Sequence, residues 1–138
     1  YSEQNLVDCV TGCGGCSGGF MITAYDYVIS EQDGHFNLEE DYKYLAVDGT
    51  CKFAQYEPVG SISKYINIVE GDEDDLAAKL EAYGPVAVAI DASKWSFQLC
   101  SGGIYDEKSC SPENLDHAVG CVGYGQENGT KYWIVRNS

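Results

Sequence analysis

The sequence predicts an α+β fold. Three observations lead there: apolar residues at helical spacing in the first third, apolar residues on alternate positions in the second half, and an Asn-Gly pair between two apolar runs near the end. Ser2 is an N-cap candidate for a short helix through Leu6, Val7 and Cys9, which the glycine-rich run Gly12 to Gly19 ends. Phe20, Ala24 and Val28 recur at i, i+4 and i+8, with Met21, Tyr25 and Ile29 one step round, so residues 20–30 are expected to form a helix. Residues 31–58 are polar and aromatic with turns at Asp33-Gly34 and Asp48-Gly49, and read as a long irregular segment that needs a tether, for which Cys51 is a candidate.

Ile62, Ile66 and Ile68 lie on alternate positions between Ser61 and Val69 and suggest a strand. The acidic run Asp72 to Asp75 precedes Leu76, Leu80 and Tyr83, placing negative charge at the positive end of a helix that Gly84-Pro85 stops. Pro85 to Asp91 reads as a buried strand. Val119 to Tyr124 and Lys131 to Arg136 flank Asn128-Gly129 as a hairpin. Two packed parts follow, a helical one over about 1–58 and a β-rich one over about 59–138.

With 22 acidic and 8 basic side chains in 138 residues, the net charge is −14. A phosphate backbone needs a basic stripe, so nucleic acid is excluded as a partner, and an anionic membrane surface is disfavoured. The longest apolar stretch, Pro85 to Ile90, is far below the roughly 20 residues of a membrane helix, so no membrane association is expected. The chain begins at Tyr1 without a targeting segment and holds seven cysteines, an odd number. An interior piece of a longer protein is the expectation; a complete domain with one free thiol is the alternative.

Two histidines limit the general-base candidates. His35 follows Asp33-Gly34 in a polar loop and reads as solvated. His117 opens the strand Ala118 to Val122, and a hairpin would return Asn137 to the same end, where its amide oxygen can orient the imidazole toward a nucleophile. The register is a constraint. A two-residue turn at Asn128-Gly129 would set Asn137 opposite Gly120, about 10 Å along the strand from His117 at ~3.3 Å per residue. Pairing residues 117 and 137 instead predicts a longer loop centred on Glu127.

Collinear motifs then carry a resemblance: Tyr1-Ser2-Glu3-Gln4-Asn5-Leu6-Val7-Asp8-Cys9, Gly15-Cys16-Ser17-Gly18-Gly19, Gly84-Pro85-Val86, Ser101-Gly102-Gly103-Ile104-Tyr105, Asp116-His117-Ala118-Val119, Val122-Gly123-Tyr124-Gly125 and Tyr132 to Ser138. Together they resemble papain-family cysteine proteases of the cathepsin L type. The resemblance implies a two-lobe fold, helical on one side and β-rich on the other, incomplete at both ends. It implies a cysteine endopeptidase with a Cys-His-Asn mechanism, in which His117 and Asn137 are catalytic. The family spacing puts the nucleophile roughly 130–150 residues before the histidine, hence before Tyr1, so the chain alone is expected to be inactive. Cys13-Gly14-Gly15-Cys16 is too near His117 to be that segment. Zinc binding by Cys13, Cys16, Cys100 and Cys110 is disfavoured by the long gap between the pairs, and neither metal nor cofactor is expected.

The resemblance also implies that Cys9 bridges Cys51, while Cys16 and Cys110 pair outside the chain. Cys13, Cys100 and Cys121 are extra; Cys121 reads as a buried strand residue, and a Cys13–Cys100 bridge is a further option. Gly18 and Gly19 match the family's backbone ledge for an extended peptide. Met21, Ala89, Leu115 and Ala118 match the walls of its S2 pocket, which implies a bulky apolar P2 residue, the second before the scissile bond. Phe20 and Asp116 belong to the same substrate-binding set. In the family Asp116 is seldom the group that orients the base. Peptide or protein substrates are the implied partners, with a propeptide or cystatin-type inhibitors, on a monomer. A lysosomal, vacuolar or secreted location fits the acidic composition, and Asn128-Gly129-Thr130 is an N-glycosylation sequon. A catalytically dead homologue that binds peptides or has a structural role is the other reading.

Overall fold

Seven regular elements organise the chain, whose residues 1–137 the computed structural model describes: helices α1 (Glu3–Cys9), α2 (Met21–Glu31), α3 (Glu73–Tyr83) and α4 (Trp95–Gln98), and strands β1 (Val86–Ile90), β2 (His117–Glu127) and β3 (Thr130–Arg136). The α+β expectation is met. Short 3-10 turns lie at Gly15–Ser17 and Phe53–Gln55. The chain folds as two units, Tyr1–Asn67 and the part from Ile68 on. That division falls later than the expected residue 58, because residues 59–62 are tied back into the first unit. Val59 bridges Phe36, and the Ile62 amide donates to the Gly34 carbonyl at 2.9 Å.

In the first unit Ser2 caps α1 as its sequence predicts. Its Oγ accepts from the Asn5 amide at 3.0 Å and donates to the Tyr42 carbonyl at 2.6 Å. The helix then turns a polar face inward. Gln4 and Asn5 are wholly buried, as is Asn37. Their amides serve the irregular segment, whose backbone has no ladder to satisfy it. Gln4 Nε2 donates to the Val47 carbonyl at 2.8 Å, and Gln4 Oε1 accepts from the Leu45 amide at 2.8 Å. Asn5 donates to Asn37 Oδ1 at 3.1 Å, and Asn37 donates to the carbonyls of Phe53 and Glu57 at 3.3 and 3.4 Å. Asp8 accepts from Gln4, from the Gly49 amide and from the Tyr42 hydroxyl. Burial first, and then the bond to Asp8, push the Tyr42 hydroxyl up to about 12.

A disulfide joins Cys9 at the end of α1 to Cys51, 42 residues on. The tether that the long segment requires is therefore present. His35 is not the solvated loop residue its surroundings suggest. It is half-buried and its Nδ1 donates to the Gly60 carbonyl at 2.5 Å. The strand expected over residues 61–69 does not form either. Its isoleucines alternate, but among the described residues no neighbouring strand offers a ladder, and backbone groups at its two ends bond instead to Gly34 and to the Asp75 carboxylate. Among the described residues no helix is long and apolar enough to cross a membrane.

The second unit is a three-stranded antiparallel sheet in the order β1-β2-β3, preceded by α3. Asp72 caps α3 by accepting from the Asp75 amide at 2.9 Å, so the acidic run acts as a helix start. Two acidic side chains of α3 also receive hairpin donors. Glu73 accepts from Trp133 Nε1 at 3.3 Å and Glu81 from the Tyr124 hydroxyl, while Tyr124 and Trp133 pair across β2 and β3 at 5.7 Å. Val119 and Cys121 fill the buried face of β2, and the Cys121 thiol is thereby enclosed as its sequence context predicts.

At the end of β1, the buried carboxylate of Asp91 gathers two loops. It accepts from the Ser93 hydroxyl at 2.6 Å, the Ser93 amide at 3.0 Å and the Ser111 amide at 2.8 Å, with Lys94 at 3.7 Å. The Ser93 hydroxyl, then the two amides, hold its pKa far below the usual carboxylate range.

Replacing both Cys9 and Cys51 with Ala is expected to lower stability by about 4 kcal/mol on the chain-entropy account, read as a reduced urea midpoint. Asp91 has a depressed folded pKa, so its stabilisation is complete above the ordinary carboxylate range. It is lost as pH falls through the folded value, because the unfolded chain takes up its proton first. Asp91→Asn should therefore be less stable at neutral pH and decline less steeply toward acid in pH-dependent urea unfolding.

Candidate active site

The hairpin β2–β3 builds the site in the second unit. Its turn is the two-residue Asn128-Gly129, with Asn128 at φ 50° and Gly129 at φ 86°, the left-handed pair that a tight hairpin of this twist demands. Glu127 therefore faces Thr130, and the same register runs to Gly123 opposite Ile134. The longer loop centred on Glu127 is not formed. Instead the register shifts between Gly123 and Cys121, so that Cys121 faces Val135 and Gly120 faces Arg136. Val122 is the additional residue, a β-bulge.

That bulge decides which face Asn137 occupies. Side chains alternate along a strand, so His117 and Val119 share a face and Gly120 is on the other. An unbroken register from the tight turn would set Asn137 opposite Gly120, on the wrong face. One step beyond the observed Gly120–Arg136 pair, Asn137 comes opposite Val119, diagonal to His117 and within side-chain reach. The two side chains meet there: His117 Nε2 lies 2.7 Å from Asn137 Oδ1. An amide oxygen only accepts, so Nε2 carries the proton and Nδ1 is the nitrogen left to exchange a proton with a reactant. Sequence spacing misses this device, although glycines inside a strand pattern, here Gly120 and Gly123, are its usual mark.

The chain entering β2 is fixed on two sides. Asp116 donates its amide to the Ile90 carbonyl at 3.1 Å, and its carboxylate accepts from the Ala92 amide at 2.7 Å. The Asp116 side chain thus anchors backbone next to His117. Asp91 holds the following turn in the same way, and sequence reading overlooked it. The signal for it is the Asp-x-Ser spacing of Asp91 and Ser93 at a strand end, where a carboxylate bonds the backbone two residues on.

Ala89 and Ala118 are directly paired across β1 and β2, and both are exposed. Leu115, 46% exposed, lies in the loop before His117. Gly18, Gly19, Phe20 and Met21 are in the first unit, where they line a cavity of about 270 Å³ with Val7 and Cys13. Gly18 has φ 97°. A Cβ on Gly19 would fall 2.2 Å from Cys13 Sγ, so a side chain there would have to displace Cys13. Phe20 precedes α2 and is 80% exposed.

Five cysteines are free thiols, Cys13, Cys16, Cys100, Cys110 and Cys121. The Cys13–Cys100 bridge is not formed. The thiols of Cys13, Cys100 and Cys110 lie against the backbone carbonyls of Phe20, Gly102 and Asp91. Desolvation and then the Asp48 carboxylate push the Cys16 thiol up, the reverse of what a nucleophile needs.

Comparison with known proteins identifies the family. The family model described as "Papain family cysteine protease" matches residues 1–138. The chain is 48% identical over 141 residues to a cathepsin L-like peptidase of Aedes aegypti, covering 99% of this chain and 41% of that protein. It is 45% identical to cathepsin L of Sarcophaga peregrina, again over 99% of this chain and 41% of that protein. The solved structure of digestive procathepsin L 3 from the Tenebrio molitor larval midgut superposes with a TM-score of 0.90 at 41% identity, covering 99% of this chain and 44% of that one. The chain spans about two-fifths of the length of the curated relatives it matches. With the family model matched over residues 1–138 and the fold shared at 41% identity, the chain belongs to the papain family of cysteine proteases.

Proposed function

We propose that these residues are part of a cysteine endopeptidase that cleaves peptide bonds by a Cys-His-Asn mechanism. The observation that carries this is the 2.7 Å contact between His117 Nε2 and Asn137 Oδ1. It fixes the tautomer in which Nδ1 takes the proton of an attacking thiol. The resulting imidazolium stabilises the thiolate and later protonates the leaving amine. Asn137 orients the ring without titrating itself. The nucleophile is a cysteine preceding Tyr1 in the longer protein, and the 138-residue chain by itself is inactive.

An extended substrate lies along Gly18 and Gly19, pairing backbone to backbone in strand fashion. Of the residues assigned to an apolar P2 side chain, Met21 belongs to the first unit and Ala89, Leu115 and Ala118 to the second; Phe20 belongs to the wider substrate-binding set, and Asp116 anchors the loop that carries Leu115. A propeptide or a cystatin-type inhibitor would compete for the same residues. The family, the Cys9–Cys51 disulfide and the acidic composition support a lysosomal, vacuolar or secreted location. Cys16 and Cys110 then pair with cysteines outside this chain.

Three measurements test the proposal. In the longer protein, His117→Ala should lower kcat by about 10²–10⁴-fold, with Asn137→Ala less damaging, on a fluorogenic peptide. Peptides with Leu or Phe at P2 should exceed those with Ala there by about 10–200-fold in kcat/KM. The isolated chain should not be labelled by a mechanism-based thiol-protease inhibitor. Labelling at Cys13 or Cys16 would refute the placement of the nucleophile, and wild-type activity in His117→Ala would refute the mechanism.

A further inference from the structure

The hairpin turn carries chemistry that peptide hydrolysis does not use. The twist of β2 and β3 accounts for Asn128 and Gly129, whose φ values of 50° and 86° suit an Asn-Gly turn. It places no demand for a hydroxyl at the next position. Thr130 supplies one, completing the Asn-x-Thr acceptor of N-linked glycan transfer. All three residues are exposed, and Glu127 and Lys131 on either side are exposed as well. An independent observation concerns compartment: the Cys9–Cys51 disulfide needs the oxidising lumen in which glycan transfer also occurs.

We infer that Asn128 is an N-glycosylation site. The donor is an oligosaccharide linked to a lipid diphosphate. The bond from its first sugar carbon to the phosphate oxygen breaks, a bond from that carbon to Asn128 Nδ2 forms, the amide gives up one proton, and the lipid diphosphate leaves. The attached glycan stays clear of the catalytic end. β2 runs from His117 to Glu127, ten steps of ~3.3 Å, so the acceptor is about 33 Å from the imidazole. The turn also holds Asn128 at the tip of the sheet, away from the ladder bonds that a bulky substituent would break. The inference concerns routing and surface chemistry, and it stands whether or not the longer protein is an active protease.

The test is expression of the protein in a secreting eukaryotic cell, followed by peptide mass mapping of both the secreted and the lumenal pools. Treatment with peptide N-glycosidase in 18O-water should convert Asn128 to labelled aspartate in most molecules. Thr130→Ala should reduce that signal to background, and Thr130→Ser should retain it. Unmodified Asn128 in both pools of the wild-type protein would overturn the site. A second reading uses the imidazole nitrogen resonances of His117, which should be unchanged when the glycan is removed. Movement of those resonances would overturn the claim that the glycan leaves the catalytic end untouched.

Discussion

The period of two along a β-strand is the constraint on which the second unit turns. A histidine and an asparagine on neighbouring strands can meet only if they share a face, and the tightest hairpin turn would put them on opposite faces. Val122 resolves the conflict inside the strand, leaving the Asn128-Gly129 turn at minimal length. The rest of the unit is consistent with that solution. β1 pairs Ile90 with His117, Asp116 bonds Ile90 and Ala92, and Asp91 ties Ser93 and Ser111 into the same corner. A bulge also increases local twist, which suits a strand that must end at a site.

The first unit solves a different problem. Well over half of it is irregular, and a backbone without a ladder must find partners elsewhere. α1 supplies them from Gln4, Asn5 and Asp8, which an amphipathic reading would assign to a solvent face. The helix buries Gln4 and Asn5 and half-buries Asp8 because their amides and carboxylate substitute for the missing ladder. The covalent bond from Cys9 to Cys51 closes the same loop.

Local signals in the sequence were legible where the physics is local. Ser2 and Asp72 cap helices, Phe20 to Ile29 has helical spacing, and Asn128-Gly129 makes a hairpin turn. Signals that depend on distant partners were not. The alternation of Ile62, Ile66 and Ile68 is real, yet a strand also needs a neighbour. His35 looked solvated because Gly60, its partner, is 25 residues away. The pairing of His117 with Asn137 was legible as a need, while the means was not, since a bulge leaves only the faint mark of Gly120 and Gly123. Asp91 was hidden for the same reason, with one of its three hydrogen-bond donors coming from Ser111, 20 residues on.

The buried network around α1 has a bearing on the medium the protein can tolerate. Gln4, Asn5, Gln32 and Asn37 are primary amides, which neither gain nor lose a proton across the range in which carboxylates and imidazoles change charge. A core of ion pairs would come apart as its acids neutralise. A core of interlocked amides has nothing to neutralise. The buried core beside α1 is thus built mainly from amides that are indifferent to pH, closed by a bond that is equally so.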